Sequence, residues 1–199
     1  MKAIILDMYG VIVKQTGDDF IPYVQQTFPE LNPEEIRKPW DKANMGEMPS
    51  LEIWAAIGYQ GDFEKAEKDY LDTIELNDGL YDFLKAAKAK YKLAVISNDS
   101  SRWSNYLREK FELNQYFDVI SISGDLKIRK PDERIFRHTV EKLAVNAEDC
   151  LYIDDRRGYL EAAKRVGMIT ILFNSRNVPY EGETVKSFQK LLFRVEAMD

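Results

Sequence analysis

Short apolar runs that stop abruptly at polar residues set the pattern of this chain. Residues 2–6 run into Asp7, residues 92–96 into Ser97-Asn98-Asp99, and residues 150–153 into Asp154-Asp155. Runs this short, rich in Ile, Val and Leu, read as buried strands. Residues 118–122 and 169–172 read as two more. Between them apolar positions return every three or four residues, which predicts helices over 78–89, 101–111, 131–143 and 158–166, the last closed by Gly167. A final helix is predicted over 185–195, after the turn-rich stretch 174–182. Alternating strands and helices predict an α/β fold, a doubly wound parallel sheet covered on both faces. In such a sheet ligands bind beyond the carboxyl ends of the strands.

Residues 15–76 interrupt the alternation. They hold helix-compatible segments, no strand, and breaks expected at Pro29, Pro33, Pro39, Gly46, Pro49, Gly58 and Gly61. The expected organisation is a core of 1–14 and 77–199 with a helical insertion, 15–76, whose linkers both start near the sheet's ligand edge: a lid. Trp40, Trp54, Tyr59 and Tyr70 are expected to pack the insertion, with one or two facing the cleft. No repeat of fixed period is present.

Composition narrows the chemistry. The 199 residues are 45% hydrophobic, enough for one substantial core and a small appended domain. Against 28 basic residues stand 34 acidic ones, a net charge of -6, which argues against nucleic acid because phosphate contact needs surplus Lys and Arg. No apolar stretch is long enough to span a membrane, and Asp7 arrives too early for a signal peptide, so a cytoplasmic protein is expected. One cysteine, Cys150, and one histidine, His138, leave no disulfide and no Cys- or His-based zinc site. Carboxylates, hydroxyls, amines and an acid-bound metal remain. Cys150 and Arg156 match the Cys-x5-Arg spacing of tyrosine phosphatases, but a strand and two acids separate them where a glycine-rich loop is needed. His138 reads as a helical surface residue, and Lys85, Lys88, Lys90 and Lys92 complement a helix end.

The strand ends carry the candidate chemistry. Asp7 is placed to act as a nucleophile, or simply to cap the following turn. Asp154 and Asp155 would repel Asp7 unless a cation joined them, and magnesium, which takes carboxylate oxygens, water and phosphate, suits that need. Ser97 and Asn98 offer a hydroxyl and an amide beside a helix start, for a phosphoryl oxygen or for an ordinary N-cap. Lys130, just before a helix, is within reach of the same edge.

In order, the segments Ile5-Leu6-Asp7-Met8-Tyr9-Gly10-Val11, Val95-Ile96-Ser97-Asn98, Lys130-Pro131-Asp132-Glu133-Arg134-Ile135-Phe136 and Tyr152-Ile153-Asp154-Asp155 resemble the four motifs of the haloacid dehalogenase superfamily. The insertion resembles the helical cap of its first cap class. The resemblance implies a Rossmann-like core and a magnesium-dependent phosphatase acting on a small phosphorylated metabolite. Asp7 would form an aspartyl-phosphate and touch Mg2+, Ser97 and Asn98 would hold the phosphoryl group, and Lys130 would offset the negative charge. Asp154, Asp155 and the backbone carbonyl of Tyr9 would complete the metal site. Oligomeric state has no signature in the sequence.

Tyr9 departs from the phosphatase pattern, which has a second Asp there as acid and base; a phenol donates a proton but is a poor base near neutrality, so hydrolysis of the phosphoenzyme is expected to slow. The same tyrosine resembles the metal-independent 2-haloacid dehalogenases. Against that resemblance stand Asp154-Asp155 in place of Ser-x-Asn, Phe136 in place of a tyrosine, and Arg37 as the only arginine of the insertion. A third reading is a non-catalytic binding protein of the same fold.

Overall fold

Successive strand residues face opposite sides of a sheet, and here each side has its own apolar cluster. Ile4, Leu6, Leu93, Val95, Leu151 and Ile153 point to one; Ala3, Ile5, Ala94, Ile96, Cys150 and Tyr152 point to the other. In this computed structural model, which describes residues 1–198, the strands are β1 (Ala3–Leu6), β2 (Lys92–Ser97), β3 (Val119–Ile122), β4 (Cys150–Asp154), β5 (Ile169–Phe173) and β6 (Thr184–Val185). They lie in the order β3-β2-β1-β4-β5-β6, with every neighbouring pair parallel. The chain winds outward from β1 to β3, then restarts at β4 on the other side of β1. Asp7 and Asp154 therefore stand at the reversal point, where the crevice of such sheets opens.

The first face of the sheet is covered by α5 (Leu80–Lys88), α6 (Ser101–Lys110) and α10 (Phe188–Glu196), through residues such as Phe83, Leu107 and Leu191. The second is covered by α8 (Glu133–Leu143) and α9 (Arg157–Val166), through Phe136 and Leu160. This is the doubly wound α/β fold expected. Residues 184–185 join the sheet as β6, so the last helix starts at Phe188, with Ser187 as its N-cap, instead of at 185. A four-residue helix, α7 (Ser123–Leu126), and a 3-10 turn, Ala147–Asp149, lie where none was expected.

Between β1 and α5 the chain forms α1 (Phe20–Thr27), α2 (Pro33–Asn44), α3 (Glu52–Ala56) and α4 (Phe63–Asp72). Pro33 opens α2 at a position that needs no N–H, behind a capping box of Asn32 and Glu35. Pro39, expected to break the chain, lies inside α2: burial of Ile36, Trp40 and Ala43 outweighs the lost hydrogen bond. Phe20 anchors the insertion, its ring 5.7 Å from Trp40, 5.8 Å from Trp54, 4.9 Å from Tyr70 and 5.0 Å from Trp103 of α6. The two linkers pair with each other through a Val13–Leu76 bridge and bonds of 2.8 Å from Lys14 N to Glu75 O and 2.9 Å from Asn77 N to Ile12 O. No helix among the described residues is long and apolar enough to cross a membrane.

Candidate active site

Asp7 is the first residue beyond β1. Its Oδ1 accepts the Met8 N–H at 2.7 Å and lies 2.7 Å from Lys130 Nζ. The same ammonium is 2.8 Å from Asp154 Oδ2 and 3.1 Å from the Tyr152 hydroxyl, which itself donates to Asp154. Lys130 is only 1% exposed. Burial works against its charge, but Asp154 and Asp7 outweigh burial and hold the ammonium above the usual lysine range. Asn98 fixes the lysine from behind: its Oδ1 accepts Lys130 N–H at 2.8 Å, and its Nδ2 donates to Lys130 O at 2.9 Å. The amide expected to meet a phosphoryl oxygen is thus spent on positioning Lys130.

One ligand atom from each of Asp7, Asp154 and Asp155 falls within 4.8 Å of the others, and all three residues are buried. Asp155 also accepts a hydrogen bond from Arg176. Arg176 continues to Asp18 at 3.2 Å, and Arg156 reaches Asp18 at 2.8 Å. Gly10 makes the clustering possible: its φ is +78°, and a Cβ there would lie 2.6 Å from Asp155 Oδ2. Burial first, then Asp154, holds the Asp7 carboxyl well above the usual range, with Lys130 only partly opposing. Burial and Asp154 likewise raise Asp155 against Arg176. Lys130 and Arg176 thus leave the three carboxylates short of positive charge. Asp7 Oδ2 and the Tyr9 carbonyl accept no hydrogen bond among the described residues. An all-oxygen donor set with surplus negative charge and free lone pairs fits a hard divalent cation.

Ser97 closes β2; its hydroxyl is fully covered and has no partner. Ser100, and not Ser97, caps α6 by accepting from Trp103 N–H. Tyr9 directs its hydroxyl to Asp99 Oδ2 at 3.3 Å. Burial, then Asp99, raises the phenol well above its usual range, and burial raises Asp99 in turn. The phenol is therefore a protonated hydrogen-bond donor near neutral pH.

Part of this group opens onto a cavity of about 60 Å³ between the sheet edge and the inserted helices, while Ser97, Asp154 and Asp155 are buried outside its lining. Asp7, Tyr9, Asn98 and Lys130 line it from below; Arg37, Trp40, Asp41 and Asn44 line it from α2. Cys150 lies away from it on the second face, and burial, then Asp149, pushes its thiol up to about 11, which removes the tyrosine-phosphatase reading.

Comparison with known proteins agrees with this arrangement. The family described as "haloacid dehalogenase-like hydrolase" matches residues 1–167. The chain belongs to that family. A phosphorylated carbohydrates phosphatase of Thermotoga maritima is 26% identical over 178 residues, covering 84% of this chain and 82% of that protein. The drimenol cyclase drtB of Aspergillus calidoustus is 25% identical over 89% of this chain, which spans only 35% of the cyclase. The (S)-2-haloacid dehalogenase 4A of Burkholderia cepacia is 28% identical over 50% of this chain and 43% of its own length. In fold, a haloacid dehalogenase family enzyme of Bacteroides thetaiotaomicron, solved as a magnesium complex, superposes with a TM-score of 0.78 at 18% identity over 98% of both chains.

Within this hydrolase the groups missed by sequence reasoning are partners of the strand-end residues. Tyr152 had a signal: two residues before Asp154 on β4, it shares that residue's face. Asp99 was absorbed into a polar run that served equally as a helix cap. Asp18 and Arg176 sit in irregular segments 158 residues apart in sequence, and neither carries a periodic signature.

Proposed function

We propose that this hydrolase is a magnesium-dependent phosphomonoesterase working through Asp7 on a small phosphorylated metabolite in the cytoplasm, with residues 15–76 as its cap. The observation that carries the reading is the buried carboxylate cluster around Lys130, with one oxygen of Asp7 pinned and the other free. Asp7, Asp154, Asp155 and the Tyr9 carbonyl would hold Mg2+, which supplies charge neutralisation for the phosphate and the carboxylates. Asp7 Oδ2 attacks phosphorus as the ester P–O bond breaks, the departing alkoxide takes a proton from solvent and leaves as the alcohol, and Lys130 offsets the charge of the transferring group. Ser97 supplies a hydroxyl for a phosphoryl oxygen, and Asn98 acts by holding Lys130. Water then attacks phosphorus and regenerates Asp7. Tyr9, tied to Asp99, is no base for that water, so this second step is slow.

Purified protein is expected to release phosphate from p-nitrophenyl phosphate with Mg2+, and to lose that release on EDTA treatment or in Asp7→Asn. No phosphate release and no magnesium binding by calorimetry would refute the reading. A metal-independent dehalogenase gains from Arg37 lining the same cavity as Asp7. It requires halide release from 2-chloropropionate that persists in EDTA, whereas Asp154 and Asp155, only partly offset by Lys130 and Arg176, oppose an anionic haloacid. A non-catalytic binding protein of this fold would bind phosphate esters without turnover.

A further inference from the structure

One face of α2 forms the roof of the cavity: Arg37, Trp40, Asp41 and Asn44 follow the i, i+3, i+4, i+7 spacing of a single helical stripe. Its charged residues already have partners. Asp41 holds Arg129 at 2.9 Å, and Asp18 lies 3.6 Å from Arg37. Asp18 is shared with Arg156 and Arg176, and a second anionic group on the substrate would compete with these two carboxylates. The unmatched groups are neutral: Trp40 Nε1, a donor, and Asn44 Oδ1, an acceptor, are covered from solvent and have no hydrogen-bond partner. Asn44 is 3% and Trp40 9% exposed. Buried polar atoms left unpaired are uncommon and costly, and here two of opposite character belong to residues one turn apart on the helix that lines the cavity.

A hydroxyl group is the simplest partner for either atom, since it can accept from an indole N–H and donate to an amide oxygen. The indole also offers an apolar face to carbon-bound hydrogens. We propose that Trp40 and Asn44 form a hydroxyl-recognition subsite, so that the substrate is a short polyol or sugar phosphate and not a phosphorylated acid. The small cavity favours a compact chain. This assignment rests on the phosphatase reading for its phosphate, but its recognition element is separate from the acidic cluster.

The test compares glycerol 3-phosphate with propyl phosphate, which lacks the hydroxyls, and with 3-phosphoglycerate, which carries a carboxylate. Wild type is expected to prefer glycerol 3-phosphate over both in kcat/KM. Trp40→Phe, which keeps a ring, and Asn44→Ala should each cut the preference over propyl phosphate about tenfold, through KM, the size of one neutral hydrogen bond. A preference unchanged in both variants, or a wild type that prefers 3-phosphoglycerate or ignores the hydroxyls, overturns the subsite. Calorimetry of glycerol 3-phosphate and propyl phosphate on Asp7→Asn with Mg2+ separates the two claims. Hydroxyl-selective binding to Asp7→Asn that Trp40→Phe removes upholds the subsite, and a wild type that then releases no phosphate from either ester refutes the phosphatase reading while the subsite stands; unselective binding overturns the subsite. Wild-type selectivity alone decides should either variant fail to fold.

Discussion

Lys130 bridges Asp7 and Asp154 in the interior, so its removal leaves two buried carboxylates facing each other. Lys130→Met is expected to lower stability by about 3–5 kcal/mol, the usual cost of breaking a buried pair from one side, and to abolish turnover. Urea unfolding without metal measures the first; a loss under 1 kcal/mol would show that the lysine is not what neutralises the cluster. At this scale the sequence was informative wherever an apolar run met a polar residue: Asp7, Asp154 and Asp155 cluster with Lys130 at the sheet edge, and Asp7 and Lys130 line the cavity, while Ser97 lies covered at the end of β2. It was silent on what each side chain does with its hydrogen bonds. Asn98 offered an amide for a phosphoryl oxygen and is engaged by the Lys130 backbone, while Tyr9, which replaces the usual acid and base Asp, is engaged by Asp99. Such pairings depend on loops meeting in space, which no spacing along the chain encodes.

Elements were legible where period and length agreed and illegible where packing overrode propensity. The central strands and their flanking helices followed from apolar spacing. Helix α2 survives Pro39 because its apolar stripe is buried, and β6 is two residues long, too short for any period. Contacts between elements show the same limit. Glu67 of α4 is buried and accepts hydrogen bonds from Ser50 at 2.6 Å, from Trp103 Nε1 at 2.6 Å and from Arg102, joining the inserted helices to α6. Asp118, ahead of β3, ties α5 to the sheet by accepting from Lys88 at 2.7 Å and from Leu93 N–H at 2.8 Å. Partial burial pushes its carboxyl up, but the Lys88 and Leu93 hydrogen bonds outweigh burial and leave it below its ordinary value of 3.8. A carboxyl lowered on folding stabilises above its unfolded value and loses that contribution as pH falls through its folded one. The Tm difference between wild type and Asp118→Asn should therefore be present at pH 7 and shrink below about pH 4. A difference constant across that range would contradict the ion-pair account.

For the molecule as a whole, an excess of acid is compatible with an anionic substrate. The net charge of -6 argues against a broad phosphate-binding face, yet Lys130 brings a positive charge to the cavity that the α2 stripe roofs. The paired linkers Val13–Leu76 and the shared aromatic cluster of Phe20 and Trp103 hold the inserted helices over that point; under the proposed function, substrate selection and phosphoryl transfer would fall to different elements. The central claim, that phosphate passes through Asp7, is tested most directly by single-turnover reaction with a phosphomonoester and Mg2+, acid quench and peptide mass analysis. Slow second-step hydrolysis should leave one phosphoryl group on the peptide containing Asp7, absent in Asp7→Asn and after EDTA. Phosphate release with no phosphorylated Asp7 in wild type, or an alkyl ester on Asp7 formed from a haloacid without metal, would contradict it.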